Sequence, residues 1–363
     1  MLGLSFDVLG ILNCEFQHRG VPVEMEFRVH LNQGWISMVY GIYWYRTNTF
    51  CRLTLIEASV EFALSRFYIR FASIRLRGIM ETFEQRSKLY KFESERFQDF
   101  LKNLPNEEWS RQSACDEWTV ADVVAHLVGN SEFYAATVTQ GLKGESTPPE
   151  GRPEAGTGHP SISGSSLAKS SIEARKRLGD KLLETYLEKD NRLIDLLTGL
   201  SSQEQAKLCY HPGSLVPAGN FVDLRFKEVI LHEWDIRSAI EEKAGLSASG
   251  LASMIILIQE SFASGSLRWA FWAGSALDRP VRYRIEVKTP LPVTADIVVE
   301  GDKVRYEETP QGTADVTFRC HTHVFALLMY GRMSVADAIA AGHLAINGDA
   351  DLATKFSQWF KGI

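Results

Sequence analysis

The chain has 363 residues, 45% of them hydrophobic and 23% charged. At about 150 residues per domain it accommodates two or three domains with real cores, and its composition excludes a disordered or collagen-like chain. The formal net charge of −6 leaves no global basic field, so no nucleic-acid partner is expected. The five cysteines, Cys14, Cys51, Cys115, Cys209 and Cys320, are scattered and form no C-x-x-C pair. That excludes a disulfide scaffold and a zinc ribbon, and makes a reducing cytoplasm the simplest compartment. No apolar run reaches the roughly 18 residues of a membrane helix. The best candidate, Trp35 to Tyr45, is interrupted by Gly41, and the N-terminus carries Asp7 with no basic segment, so neither membrane insertion nor a signal peptide is expected.

Residues 1–79 differ from the rest. They hold eight arginines, no lysine and six acids, so 8 − 6 = +2 here against −8 for the remainder. Val23 to Leu31 alternates apolar and polar residues, the signature of a half-exposed strand, and the arginine-rich stretch Ser59 to Leu76 is expected to be helical. No chemistry is legible here. The expectation is an atypical N-terminal extension of unknown role, with the native start at Met80.

Residues 80–248 are expected to form a four-helix bundle. Phe83, Tyr90, Phe97 and Leu104 recur every seven residues, with Phe100 and Leu101 on the same face and Pro105 closing the helix. A second helix opens at Thr119, where Thr119 and Asp122 make a capping-box pattern, and runs towards Gly141. Gly144 to Ser166, rich in Gly, Pro, Ser and Thr, reads as a long loop. A third helix is expected over Ser171–Leu197. A fourth runs from a cap at Asn220, with Asp223 three residues on, to about Lys243. Residues 249–363 change character. A connecting helix over Ser253–Trp272 precedes strands at Val281–Val287, Ala295–Glu300, Lys303–Glu307 and Ala314–Cys320. Helices follow at Thr322–Tyr330 and Ser334–Ala341, then a strand at Leu344–Ile346 and a helix at Asp349–Phe360. This is a small α+β domain, so the fold class is α+β: a helical bundle, then a sheet domain.

One constellation in the bundle carries chemistry. Glu228 and His232 are one helical turn apart, about 6 Å along the axis, and Asp235 follows on the same face. Phe221, Leu224 and Leu231 share that face, so the polar groups sit at the core stripe, where they are costly unless paired or metal-bound. On the second helix, His126 lies beside Val123 and Leu127. Two imidazoles and a carboxylate match the three-ligand pattern of catalytic zinc. The spacing alone is not specific: Glu26 and His30 share it on the polar side of a strand. The residues by themselves leave open ligands or polar core-edge side chains. Asp235 could orient a ligand or pair with Arg237 or a neighbouring helix. Cys115 could be a reactive thiol or a small buried hydrophobe. His321 and His323 read as surface residues. The H-E-x-x-H pattern begun by His232-Glu233 fails at Ile236, and no phosphate loop or serine elbow is present.

Three stretches resemble a known family. Cys115-Asp116-Glu117-Trp118-Thr119 through His126-Leu127 resembles the first motif of the mycothiol-dependent maleylpyruvate isomerase family, a branch of the DinB-like four-helix superfamily. Glu228-Val229-Ile230-Leu231-His232-Glu233-Trp234-Asp235-Ile236-Arg237 resembles its second motif. Tyr330-Gly331-Arg332-Met333-Ser334 through Gly342 to Asp349 is similar to the sterol-carrier-protein-type-2-like domain that follows such bundles. The resemblance covers about residues 80–363. It implies that His126, Glu228 and His232 bind a divalent metal, Zn²⁺ by preference, with Asp235 behind them. It implies mycothiol or another low-molecular-weight thiol as co-substrate, and isomerisation or S-transfer on a small electrophile. Arg332, Arg237 and Arg282 are candidates to hold a substrate carboxylate. The competing reading is a non-catalytic metal-containing module that binds an apolar ligand or a protein partner.

Overall fold

In the computed structural model the described residues are 23–31, 34–42, 82–158, 160–263, 270–272, 277–288, 292–307 and 310–361. The chain divides into two units, Met1–Arg70 and Phe71–Ile363. In the first, β1 (Val23–Leu31) and β2 (Gly34–Ile42) form an antiparallel hairpin with Val23 opposite Ile42. The alternating stretch is thus a strand, and most of Trp35–Tyr45 is its partner. The helix expected over Ser59–Leu76 lies outside the described residues.

The second unit opens with the bundle. Helix α1 (Phe83–Lys102) is capped by Thr82 and Gln85 and buries Tyr90, Phe97 and Leu101 completely. Helix α2 (Val120–Leu142) starts at the expected Thr119–Asp122 capping box. Asp122 also accepts from Arg175 Nε at 2.5 Å, which ties α2 to the next helix.

The sequence reading of the third helix needs two corrections. Helix α3 (Pro160–Leu178) begins inside the expected Gly144–Ser166 loop. Proline suits a first helical position, and hydroxyls such as Ser171 Oγ donate to the carbonyl one turn back, here Leu167 O at 2.9 Å. The composition looks loop-like, but further along the same helix Ser170 and Ser171 are satisfied within it. The expected single helix then breaks at Gly179, whose φ of +51° is left-handed, and resumes as α4 (Leu182–Thr198). A one-turn α5 (Ser202–Gln205) and a hairpin of β3 (Leu208–His211) and β4 (Ser214–Pro217) follow. Their strands of four residues are too short to announce themselves by pattern.

Helix α6 (Phe221–Arg237) ends six residues before the expected Lys243. Asn220 does not cap it with its side chain. A 3₁₀ turn over Ala218–Asn220 leads in, so Asn220 is already helical at φ −81°, and Asp223 pairs with Arg86 instead. Helix α6 is buried on almost every side, from Phe221 and Val222 to Asp235 and Ile236. It is the central helix of the bundle.

Helix α7 (Leu251–Ala263) leads to the C-terminal domain; the rest of the expected Ser253–Trp272 helix falls largely outside the described residues. Five strands follow: β5 (Val281–Val287), β6 (Val293–Glu300), β7 (Lys303–Glu307), β8 (Val316–Cys320) and β9 (Leu344–Gly348). They pair in the order β7-β6-β5-β8-β9, with β5 and β8 parallel and the other neighbours antiparallel. Along β5 the alternation holds: Val281, Tyr283, Ile285 and Val287 point into the core. Helices α8 (Thr322–Met329), α9 (Val335–Ala340) and α10 (Ala350–Trp359) complete the α+β domain close to the expected limits.

One apolar core runs without a break from bundle residues such as Tyr134, Phe226 and Trp234, through Met254 and Ile258, to Phe318 and Phe356 beside the sheet. A second, built around Phe97, Val124, Leu127, Tyr186 and Val229, fills the other end of the bundle. Each such side chain contributes about 1.5–3 kcal/mol. Among the described residues no helix is long and apolar enough to cross a membrane.

Two predictions follow from packing. A Cβ added at Gly348 (φ +111°) would meet Asp315 O at 2.1 Å. Gly348→Ala should therefore lower stability by about 1–3 kcal/mol or more, read by chemical denaturation. The second concerns His211, which accepts from Gly213 N–H at 3.1 Å and packs on Tyr134 and Phe221. Burial, aided by the Lys227 charge, pulls its pKa from 6.5 down to about 4. The folded state thus disfavours the proton. The stability contribution is intact above about pH 6.5 and is lost as pH falls through 4. The stability of a His211→Gln variant should fall less between pH 7 and 4 than that of the parent chain.

Candidate metal centre

Helices α2 and α6 bring His126, Glu228 and His232 together. His126 Nε2 lies 3.1 Å from Glu228 Oε2, and His232 Nε2 lies 3.3 Å from the same oxygen. One ligand atom from each residue can be chosen with all three within 4.8 Å of one another. The two imidazole rings meet edge-on, with centroids 4.8 Å apart. Trp118, just ahead of α2, stacks on His126 at 5.0 Å with 30° between planes and lies 6.1 Å from the His232 ring. Both histidines are about nine-tenths buried, while Glu228 keeps 20% side-chain exposure.

The other face of His232 is also occupied. Its Nδ1 lies 2.8 Å from Asp235 Oδ2. Asp235, fully buried, also accepts from Cys115 Sγ at 3.3 Å and from Arg332 through Nε and Nη2, both at 3.0 Å. Its backbone carbonyl accepts from Ala114 N–H at 2.9 Å. Cys115, His232 and Asp235 thus form a second close group sharing His232 with the first.

Arg332 comes from the C-terminal domain, and the local fold explains its place. Helix α8 ends at Met329 with Tyr330 as its cap, and Gly331 takes the left-handed conformation at φ +65°. The Gly331 and Arg332 amides bond back to Leu328 O and Leu327 O, which is the Schellman pattern. This turn aims the guanidinium into the bundle, where its Nη1 also donates to Tyr330 O at 3.2 Å.

The electrostatics follow from burial and partners. Burial alone would raise the Glu228 carboxyl, but hydrogen bonds from His126 and His232 outweigh it and hold it well below the usual carboxylate range. Burial lowers His126, and its bond to Glu228 only partly offsets that. Burial would lower His232 as well, yet Asp235, Cys115 and Glu228 lift it well above the ordinary imidazole value. For Asp235 burial works upward, and the Arg332 charge and His232 overcome it. A concentrated negative potential therefore faces two imidazole nitrogens, an arrangement suited to a cation. The donor set fits a divalent ion: two imidazoles, one carboxylate, and an outer carboxylate on the free nitrogen of one imidazole.

The remaining sequence candidates are engaged elsewhere. Arg237 pairs with Glu233 at 2.6 Å and Glu241 at 2.5 Å and lies over the Phe100 ring. Arg282 pairs with Asp296 and Glu307 on the sheet. His321 and His323 stack with ring centroids 6.1 Å apart at the start of α8. The sequence reading missed Trp118 as the wall of the site, the buried Arg225 and Asp190, and the half-buried Asn130. Arg225 had a visible signal: a charge one turn before Glu228 on an otherwise apolar face.

A DinB-like helical bundle carrying a sterol-carrier-like domain is the class this fold defines. Residues 91–237 match the family described as Mycothiol maleylpyruvate isomerase N-terminal domain, and residues 273–361 match the SCP-2 sterol transfer family. These two matches, in this order, support the mycothiol-dependent maleylpyruvate isomerase family that the sequence motifs resemble. A crystal structure of the mycothiol-dependent maleylpyruvate isomerase shares the fold, with a TM-score of 0.51 at 16% identity over 74% of this chain and 95% of that one. A histidine-to-alanine mutant of that isomerase gives the same values. Sterol Carrier Protein 2 Like 2 from Aedes aegypti aligns at 21% identity over 30% of this chain and 98% of its own, with a TM-score of 0.23. No curated protein matches the chain.

The Asp235–Arg332 pair is directly testable. Arg332→Met should destabilise the chain by about 3–5 kcal/mol, because it leaves a buried carboxylate short of its cation. Adding Asp235→Asn should recover part of that loss. A double-mutant cycle in urea measures the coupling.

Proposed function

We propose that the chain is a divalent-metal-dependent enzyme that uses a low-molecular-weight thiol to isomerise, or transfer sulfur to, a small electrophile. The observation that carries this reading is the convergence of His126 and His232 on one oxygen of Glu228. In this reading His126, Glu228 and His232 hold the ion, and the donor types favour Zn²⁺. Bound there, the metal would lower the pKa of a coordinated thiol and supply it as thiolate.

The chain's own groups do the rest. Asp235 accepts from His232 Nδ1–H and so fixes the ring orientation in which Nε2, once its proton is displaced, would face a bound ion. Trp118 closes one side of His126 against water. Arg332, held in place by Asp235, is the nearer of the two family-motif arginines and is proposed to orient a substrate carboxylate; Arg237 is engaged by Glu233 and Glu241. For isomerisation, the thiolate sulfur bonds to one carbon of a conjugated double bond, and the electron pair moves to the conjugated carbonyl. Rotation follows about the new single bond. The pair then returns, the carbon–sulfur bond breaks with its electrons going back to sulfur, and the trans product and thiolate are released. For transfer, sulfur displaces a leaving group and the adduct is the product. Mycothiol is the thiol in the name of the relative that shares the fold. A second reading, a non-catalytic module for an apolar ligand, draws on the SCP-2 match of residues 273–361.

Elemental analysis of the purified chain should find about one divalent ion per chain, lost in His126→Ala and His232→Ala. The metal-loaded chain should turn over maleylpyruvate or another electrophile only when a thiol such as mycothiol is added. Absence of stoichiometric metal after metal-replete expression would reject the enzyme reading. Metal without thiol-dependent turnover would favour the apolar-ligand reading.

A further inference from the structure

One turn beneath the His126–Glu228–His232 group lies a second buried polar layer. Arg225 and Asp190 have no solvent exposure at all. Arg225 Nη2 donates to Asp190 Oδ1 at 2.8 Å, and Nη1 donates to Asn130 Oδ1 at 2.7 Å. Gln98 Nε2 donates to the other Asp190 oxygen at 2.9 Å. Gln98, Asn130, Asp190 and Arg225 come from α1, α2, α4 and α6 respectively, so one network crosses the whole bundle.

Its position relative to the site is set by helical spacing. Asn130 lies four residues after His126 on α2, and Arg225 lies three before Glu228 on α6. Both therefore share the face of the nearest ligand candidate, one turn away. The Asn130–Arg225 bond and the His126–Glu228 bond are adjacent rungs between the same two helices.

Stability is a poor explanation for this layer. Replacing a buried ion pair by apolar residues of similar volume is often neutral or stabilising. Apolar contacts also permit one helix to slide along another, whereas a charged fork gripping two partners does not, because its bonds weaken steeply as their geometry is lost. We infer that the Asn130–Arg225–Asp190 layer is a positioning device that fixes the axial register of α2 against α6, and through it the separation of His126 from Glu228 and His232. The inference rests on the metal-site reading above and gives these three residues a part in it. None of them is a proposed ligand.

The test is a Co²⁺ titration of the full chain, read by the d–d absorption band, alongside thermal melting. The Arg225→Met/Asp190→Leu double variant should melt at or above the parent temperature. It should bind Co²⁺ about tenfold or more weakly, with an altered band, the size of effect that outer partners of ligands have. Arg225→Lys keeps the charge but reaches one partner only, and should recover part of the affinity. Phe97→Leu, a core change outside the layer, should lower the melting temperature and leave Co²⁺ affinity unchanged. Parent-like affinity and spectrum in the double variant would overturn the inference. So would affinity that merely tracks melting temperature across all variants, Phe97→Leu included. If the double variant does not fold, Asn130→Ala and Arg225→Lys carry the same comparison. If the parent chain binds no Co²⁺, the metal reading fails, and the positioning role is judged separately from imidazole ¹⁵N shifts. Shifts of His126 and His232 that differ between parent and variant sustain it, and identical shifts reject it.

Discussion

Helix α6 is packed on almost every side and yet carries Asp223, Arg225, Glu228, His232, Glu233, Asp235 and Arg237 along seventeen residues. A buried ionised group costs several kcal/mol unless it is paired and hydrogen-bonded. His232 and Arg237 find partners within the helix, but the others need partners on other elements. Asp223 takes Arg86 and Glu233 takes Arg96, both near or on α1. Arg225 takes Asn130 and Asp190, Glu228 takes His126, and Asp235 takes Arg332. Satisfying the charges of α6 therefore dictates which helices surround it and in what register. The polar partners specify the arrangement, and the two apolar cores supply the bulk of the stabilisation.

The same logic joins the two domains. Asp235 stands at the end of the bundle's central helix, and its principal cation comes from the Schellman turn after α8. The C-terminal domain is thus not only packed against the bundle through a continuous apolar core. It also provides the charge that keeps Asp235 ionised, and Asp235 in turn holds the His232 ring. A rearrangement of the sheet domain would be felt at His232 through two hydrogen bonds.

Much of this was legible in the sequence because it obeys strong local rules. The capping box at Thr119 and the seven-residue recurrence of Phe83, Tyr90 and Phe97 located α1 and α2. The alternation of Val281 to Val287 located β5. The closeness of His126, Glu228 and His232 was legible because helical spacing placed two of them on one face and His126 lay by the inward stripe of α2, beside Val123 and Leu127. What failed to show was set by tertiary context. Pro160 to Ser166 looked like a loop by composition, but proline suits the first position of a helix, and the helix of 160–178 starts there. Asn220 looked like a cap, but the 3₁₀ turn before it had already closed the entry to α6. Arg332 could not be chosen over Arg237 and Arg282, because all three pair with acids and only the fold shows which acid belongs to the site. The Arg225 layer was invisible for the same reason, since Asn130 and Asp190 sit 95 and 35 residues away from it.

The exposure pattern indicates how such a site can be reached. His126 and His232 are closed in by Trp118 and by each other's rings, and Asp235 is fully buried. Glu228 alone among the three keeps a fifth of its side chain in contact with solvent. Arg332 keeps a tenth. Under the proposed function, a small molecule would therefore reach the group from the Glu228 side. Water is limited on the Trp118 side, which strengthens every electrostatic interaction within the group. Under the proposed function, the carboxylate and the arginine, held by different domains, would be the first groups of the site that a reactant meets.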